Sequence, residues 1–306
     1  MATDLNKLLT EQRNISTADI DLLSAAEIAR KINDEDKTVA IAVEKAIPQI
    51  AALVEKAVAV LDAGGRLIYM GAGTSGRIGV LDAVECPPTF GVSPDKIQCL
   101  MAGGEYAFVR SVEGAEDSTE AAVADLKRIN LTAADIVIGI TASGRTPYAV
   151  AGVKYAKEIG CATGSISTAA ESEIARIVDF PIEAITGPEV IAGSTRMKSG
   201  TAQKLICNMI STTVMIKLGK VYQNLMIDVQ PTNEKLINRA RNILVQAAGI
   251  SYDEAVAYLE KYDTVKKALF SLLSGVESLA EVERYLDRAK GHIRKALELA
   301  RDDKSN

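Results

Sequence analysis

From Gly64-Gly65 onward the chain alternates short apolar runs with helical stretches, the runs being RLIYMGAG, KIQCLMAG, DIVIGITAS, CATGSIST and VDFPIEAI. Runs of this length bounded by turn residues read as strands. Strands that alternate with helices join through crossovers, so they lie parallel and both faces of their sheet are covered. The pattern predicts an α/β fold: a five-stranded, mostly parallel sheet flanked by helices.

Other segments are helical. Apolar positions recur at helical spacing through 17–62, which predicts an entry layer of helices. The stretch 197–225 is long and mostly apolar, as expected of a buried or subunit-facing helix, and homodimerisation through it is a natural consequence. Beyond Asn233 come short charged helices broken at Gly-Ile-Ser and Ser-Gly. The expected organisation is therefore an N-terminal helical layer over 1–62, an α/β domain over 63–232 and a small C-terminal helical region over 233–306. With 306 residues, 48% of them apolar, the chain has ample material for a core.

Composition narrows the chemistry. Lys and Arg number 35 against 40 Asp and Glu, a net charge of -5, and no basic tract offers a grip on a phosphate backbone. Nucleic acid is not an expected partner. No apolar run reaches the roughly 20 residues that span a bilayer, and MATDLNKLLTEQRN has neither a basic n-region nor an apolar h-region, so the chain reads as a cytoplasmic protein without a membrane partner. Cys86, Cys99, Cys161 and Cys207 form no C-x-x-C pair, and the single histidine, His292, lies in the charged stretch RAKGHIRKALELA, where a solvated role is expected. Neither a zinc site nor a Cys-His nucleophile has its partners. General acids and bases are then sought among Asp, Glu, Lys and Tyr, with no metal and no cofactor.

Two loops carry small hydroxyl residues. In the first, Thr141-Ala142-Ser143-Gly144-Arg145-Thr146-Pro147 follows a strand and opens a helix, with Thr146 as N-cap and Pro147 at the first helical position. Three hydroxyls, a permissive glycine and the positive end of a helix make a phosphate cradle. The same residues also suit an ordinary capped turn, and spacing does not choose between the two. The second loop, Gly71-Ala72-Gly73-Thr74-Ser75-Gly76, matches G-x-G-x-x-G after a strand. A dinucleotide site wants an acid at the end of the next strand, and here that strand reaches one only at Glu105. Thr74 and Ser75 as hydroxyl donors to a sugar phosphate from a neighbouring strand end fit better.

Two glutamates stand in opposite helix fields. The helix begun at Ser75 is expected to stop before Pro87-Pro88, which places Glu85 in its last turn, where the helix dipole favours the protonated acid. Glu116 precedes STEAAVADLKRI, with Asp117 expected as N-cap, at a helix start that favours the ionised form. Carboxyls whose surroundings separate their protonation suit a general acid and a general base. Solvated helix-end charges are the alternative.

At these residues the chain resembles the N-acetylmuramic acid 6-phosphate etherase family along nearly its whole length. The resemblance is carried by TEQRN at 10–14, INDEDKTV at 32–39, GAGTSGRIGVLDAVECPPTFG at 71–91, AGGEYAFVRSVEGAEDS at 102–118, ASGRTPY at 142–148 and GSTRMKSGTAQK at 193–204. Several of these runs are shared with the glucokinase regulatory protein, which resembles two such domains in one longer chain. The resemblance implies a sugar isomerase type, flavodoxin-like fold, a homodimer, and Glu85 and Glu116 as catalytic acid and base. It implies phosphate binding by Thr141, Ser143, Gly144 and Thr146, with Ser75 contributing from the first loop. Glu189 and Gly193 to Lys198, including Ser194, Arg196 and Lys198, resemble a further substrate-contacting element, in which Arg196 and Lys198 either meet a carboxylate or pack near the dimer helix. The implied reaction splits a lactyl ether by elimination and hydration; a sugar-phosphate-sensing regulator or an aldose-ketose isomerase are the alternatives on the same loops.

Overall fold

The computed structural model describes residues 9–229 and 233–305. The first eight residues, part of the stretch read as leader-free, and the expected boundary at 232 lie outside the described residues. The chain packs as two compact units, one reaching to Val84 and resuming over Pro94–Ser211, the other comprising Glu85–Ser93 and the residues from Thr212 on.

In the first unit three single-turn 3-10 helices, Leu9–Glu11, Ile15–Thr17 and Ile20–Leu22, precede α1 (Ala25–Lys45) and α2 (Ile47–Asp62). The helical pattern expected from 17 on is thus interrupted until Ser24, whose capping box with Glu27 starts α1. Then follow β1 (Leu67–Gly71), α3 (Gly73–Phe90), β2 (Ile97–Met101), α4 (Gly104–Val109), α5 (Thr119–Arg128), β3 (Ile136–Ile140), α6 (Pro147–Ile159), β4 (Ala162–Ser167), β5 (Phe180–Glu183) and α7 (Lys198–Lys217).

All five strands are parallel, in the order β2-β1-β3-β4-β5. Every residue of β1 and of β3 is buried, as central strands covered on both faces require. The edge strands β2 and β5 are partly open, and Pro181 lies in β5, where no second neighbour needs its missing N–H. One face of the sheet packs Ile68, Met70 and Val137 against Leu126, Tyr148 and Val153 of α5 and α6. Below the sheet, Arg66 clamps the starts of β1 and β3: it meets Asp135 at 2.7 Å and donates to the carbonyls of Ile129 and Asn130. This order sends the chain to opposite sides of β1 on its two exits, so the carboxyl ends of β1 and β3 border a switch point, where open α/β sheets bind ligands.

Helix boundaries correct three expectations. α3 does not stop before Pro87-Pro88; both prolines lie inside it, and the winding continues to the Gly91 N–H, which donates to the Pro87 carbonyl at 2.9 Å. Each proline forfeits one i→i−4 bond, yet the turn after them closes, and Gly91 in the left-handed region ends the helix. Glu85 is therefore short of the last turn. Asp117 is not the cap of α5: it belongs to a 3-10 turn, Ala115–Asp117, and the Ser118 side chain accepts from the Ala121 N–H. The helix expected over 197–225 ends at Lys217, because Gly219 at φ +74° breaks it and the chain turns into the hairpin β6 (Val221–Tyr222) and β7 (Leu225–Met226).

The second unit holds α8 (Glu234–Ala248), α9 (Tyr252–Tyr262), α10 (Val265–Ser274), α11 (Leu279–Arg288) and α12 (Ile293–Ser305). Asn233, Ser251 and Thr264 cap α8, α9 and α10 through their side chains. Leu244, Tyr262, Leu269, Phe270 and Val282 form its core. His292, expected in a solvated helix, is half-buried in the break between α11 and α12. Among the described residues no helix is long and apolar enough to cross a membrane.

Candidate active site

The β1–α3 and β3–α6 loops meet over a cleft of about 430 Å3. Thr74 and Ser75 line it from one side, Ser143, Arg145 and Thr146 from the other, and Glu116 and Asp117 from the turn before α5. Thr10, Glu11, Gly193 and Thr195 close it, with the Gly193 N–H donating to the Thr10 carbonyl at 2.9 Å.

Close backbone approach builds the first loop. A Cβ at Gly76 would lie 2.7 Å from the Gly71 carbonyl oxygen, so the helix can start this near its strand only because the position has no side chain. Ser75 is buried and its hydroxyl donates to Gln203 Oε1 at 2.9 Å; the Gln203 Nε2 is buried without a partner. On the other side Gly144 sits at φ +71°, and a Cβ there would lie 2.2 Å from that of Ser172. The Gly144 carbonyl accepts from the Ile174 N–H at 3.0 Å, and the Thr141 and Thr146 hydroxyls are 2.8 Å apart. Thr146 precedes α6 without a side-chain cap bond, which leaves the amino end of that helix turned to the loop. Thr141 and Gly144 are themselves buried, and neither is among the cleft's lining residues.

The remaining candidates are placed elsewhere. Glu189 is fully buried and accepts from the N–H groups of Lys198 and Ser199 at 2.8 and 2.9 Å and from the Ser199 hydroxyl at 2.7 Å, so its carboxylate caps α7. Lys198 is buried too, its Nζ 2.7 Å from Glu35 Oε2 and 3.2 Å from the Pro188 carbonyl. Arg196 is exposed and Ser194 half-buried; neither is among the cleft's lining residues, although their neighbours Gly193 and Thr195 are. Glu85 is exposed and belongs to the second unit, and the cleft does not gather it. Glu116 is also exposed, in a turn held by Gly114 at φ +72°.

Burial shifts several titratable groups of the first unit that do not line the cleft. Burial pushes the Asp82 carboxyl above the usual range, against hydrogen bonds from Asn208, Ser211 and Tyr69. Burial likewise raises the Tyr148 phenol, which donates to Asp125, and the thiols of Cys99 and Cys207, while Cys161 is pushed up to about 11. These thiols stay protonated at neutral pH. Sequence reasoning overlooked Glu11 and Arg145 as cleft residues, and within the Gly193 to Lys198 stretch it singled out Ser194, Arg196 and Lys198 where the cleft is lined by Gly193 and Thr195. Each lies in a segment that carried the resemblance, at TEQRN, ASGRTPY and GSTRMK, which was the available signal.

The strand order and the two hydroxyl loops at its switch point define an α/β domain of the sugar isomerase (SIS) class. Residues 49–157 match the model of the glucokinase regulatory protein N-terminal SIS domain. An N-acetylmuramic acid 6-phosphate etherase of Exiguobacterium is 53% identical over 294 residues, 96% of this chain and 100% of that protein. The etherase of Clostridium beijerinckii is 53% identical over 96% of this chain and 97% of its own length, and that of Escherichia coli 52% over 96% and 99%. The chain belongs to the N-acetylmuramic acid 6-phosphate etherase family.

Proposed function

We propose that this chain cleaves the D-lactyl ether of N-acetylmuramic acid 6-phosphate, giving N-acetylglucosamine 6-phosphate and D-lactate. The observation that carries the reading is the cleft, which sets Glu116 among the hydroxyls of Thr74, Ser75, Ser143 and Thr146 in a chain about half identical to etherases over almost its full length.

The phosphate sits at the start of α6, where backbone N–H groups, the helix dipole and the hydroxyls of Ser143 and Thr146 favour an anion. The sugar reacts as its open aldehyde, which acidifies the hydrogen on carbon 2. Glu116 takes that proton, the electron pair forms the carbon 2–carbon 3 double bond, and the lactyl oxygen leaves carbon 3 with a proton from Glu85. Water adds to the unsaturated aldehyde at carbon 3. Positioned carboxyls contribute on the order of 100- to 10,000-fold each to such proton transfers. With the helix-end argument for Glu85 removed, its role rests on the family motif GVLDAVECPP alone. A homodimer and a cytoplasmic location belong to the same reading.

The test separates the two glutamates. Glu116→Gln is expected to abolish both lactate release and exchange of the carbon 2 proton of N-acetylglucosamine 6-phosphate with deuterated water. Glu85→Gln is expected to block lactate release while exchange persists. Normal lactate release in both variants rejects the mechanism, and none from the wild type rejects the function.

A further inference from the structure

A second cavity of about 300 Å3 adjoins the cleft and shares Ala72, Gly73 and Glu116 with it. Its lining side chains include two carboxylates, Glu113 and Glu116, and a single cation, Arg77. Arg77 stands on the second turn of α3, one turn beyond Thr74 and Ser75. Its Nε donates to the Phe108 carbonyl at 2.9 Å and its Nη2 to the Ala107 carbonyl at 2.8 Å, both at the end of α4. The guanidinium is thereby held in place by backbone. Its Nη1 donates to no acceptor among the described residues, and neither carboxylate of the cavity forms an ion pair with it. A cation that is anchored and half-buried, yet has donors to spare, is equipped to receive an anion.

We propose that Arg77 binds the carboxylate of the lactyl group and so selects the substrate; the inference rests on the function proposed above. With the phosphate at the start of α6 and carbon 2 at Glu116, the substituent on the next carbon leaves the cleft past Glu116, into the cavity that Glu116 shares. A carboxylate entering there meets Glu113 and Glu116, and without a cation like charges would drive it out. The other cations stand elsewhere: Lys198 is paired with Glu35, Arg145 lines the cleft but not the second cavity, and Arg196 is not among the residues lining either.

The experiment measures affinity by calorimetry in a Glu116→Gln background, in which turnover is stopped. The probes are N-acetylmuramic acid 6-phosphate and the 3-O-ethyl ether of N-acetylglucosamine 6-phosphate, which lacks the carboxylate. Arg77→Met is expected to weaken the first by about 10- to 100-fold, the range for losing hydrogen bonds to a charged group, and the second by less than about threefold. Arg77→Lys keeps the charge and should retain part of the preference. Arg145→Met should weaken both sugars alike. Equal losses for both sugars in Arg77→Met would show that Arg77 only braces α3 against α4, and unchanged affinity for both would remove it from the site; either result overturns the proposal. Because these are binding measurements, they stand apart from lactate release by the wild type, whose absence would reject the proposed function and leave the carboxylate preference to be read on its own.

Discussion

Asp135 shows how much one buried carboxylate can determine. Burial opposes its charge, but bonds from Arg66 and from the Thr132 N–H hold its carboxyl below the usual range of about 3.8. A lowered native pKa stabilises the fold above the unfolded value, and that contribution is lost as pH falls below 3.8 through the native value. Asp135→Asn leaves Arg66 without its counter-charge and is expected to cost on the order of 3 kcal/mol at neutral pH. Melting curves between pH 2.5 and 7 should show the variant less stable at neutrality and with a shallower acid-side decline. Glu35 and Asp179, lowered in the same way, maintain part of that slope in both proteins. An acid limb as steep in the variant as in the wild type would remove Asp135 from the acid response.

Among the elements, the β3–α6 turn is the one whose geometry depends most on a single residue. Gly144 combines a left-handed backbone with a contact that has no room for a methyl group, and Ser172, the neighbour that would have to yield, is itself tied to Glu183 through its N–H and hydroxyl, both at 2.8 Å. Gly144→Ala must either adopt a strained conformation, costing about 1–2 kcal/mol before any clash, or displace the loop. We expect a lower melting temperature and at least tenfold weaker binding of N-acetylglucosamine 6-phosphate by calorimetry. Wild-type affinity in this variant would show that the loop's shape does not set phosphate recognition. α3 teaches a different lesson at this scale: two adjacent prolines did not end it, because the surrounding turns close around the lost bonds and Gly91 is the residue that can leave the helix.

For the whole molecule, the proposed homodimer draws support from apolar side chains left open on two long helices, Leu81 and Val84 on α3 at 49% and 57% exposure and Met209 and Ile216 on α7. Light scattering at micromolar concentration should give about twice the 32.5 kDa of one chain, and Leu81→Glu with Val84→Glu should reduce it to one. A wild-type monomer would count against the pairing. The parallel sheet, its five strands and the helices around it were legible in the alternation of apolar runs, because burial on both faces leaves a continuous apolar strand whatever the partners are. The two hydroxyl loops were legible as well, since glycine and a proline at the first helical position act on their own backbone. What lay beyond local pattern was who meets whom. That Glu189 caps α7, that Lys198 is spent on Glu35, that Glu11 closes the cleft and that Arg77 faces a cavity beside Glu116 follow from contacts between residues far apart in the chain. Local sequence determines the propensity of a segment, whereas the partner of a charged side chain is decided only when the sheet order brings distant loops to one edge.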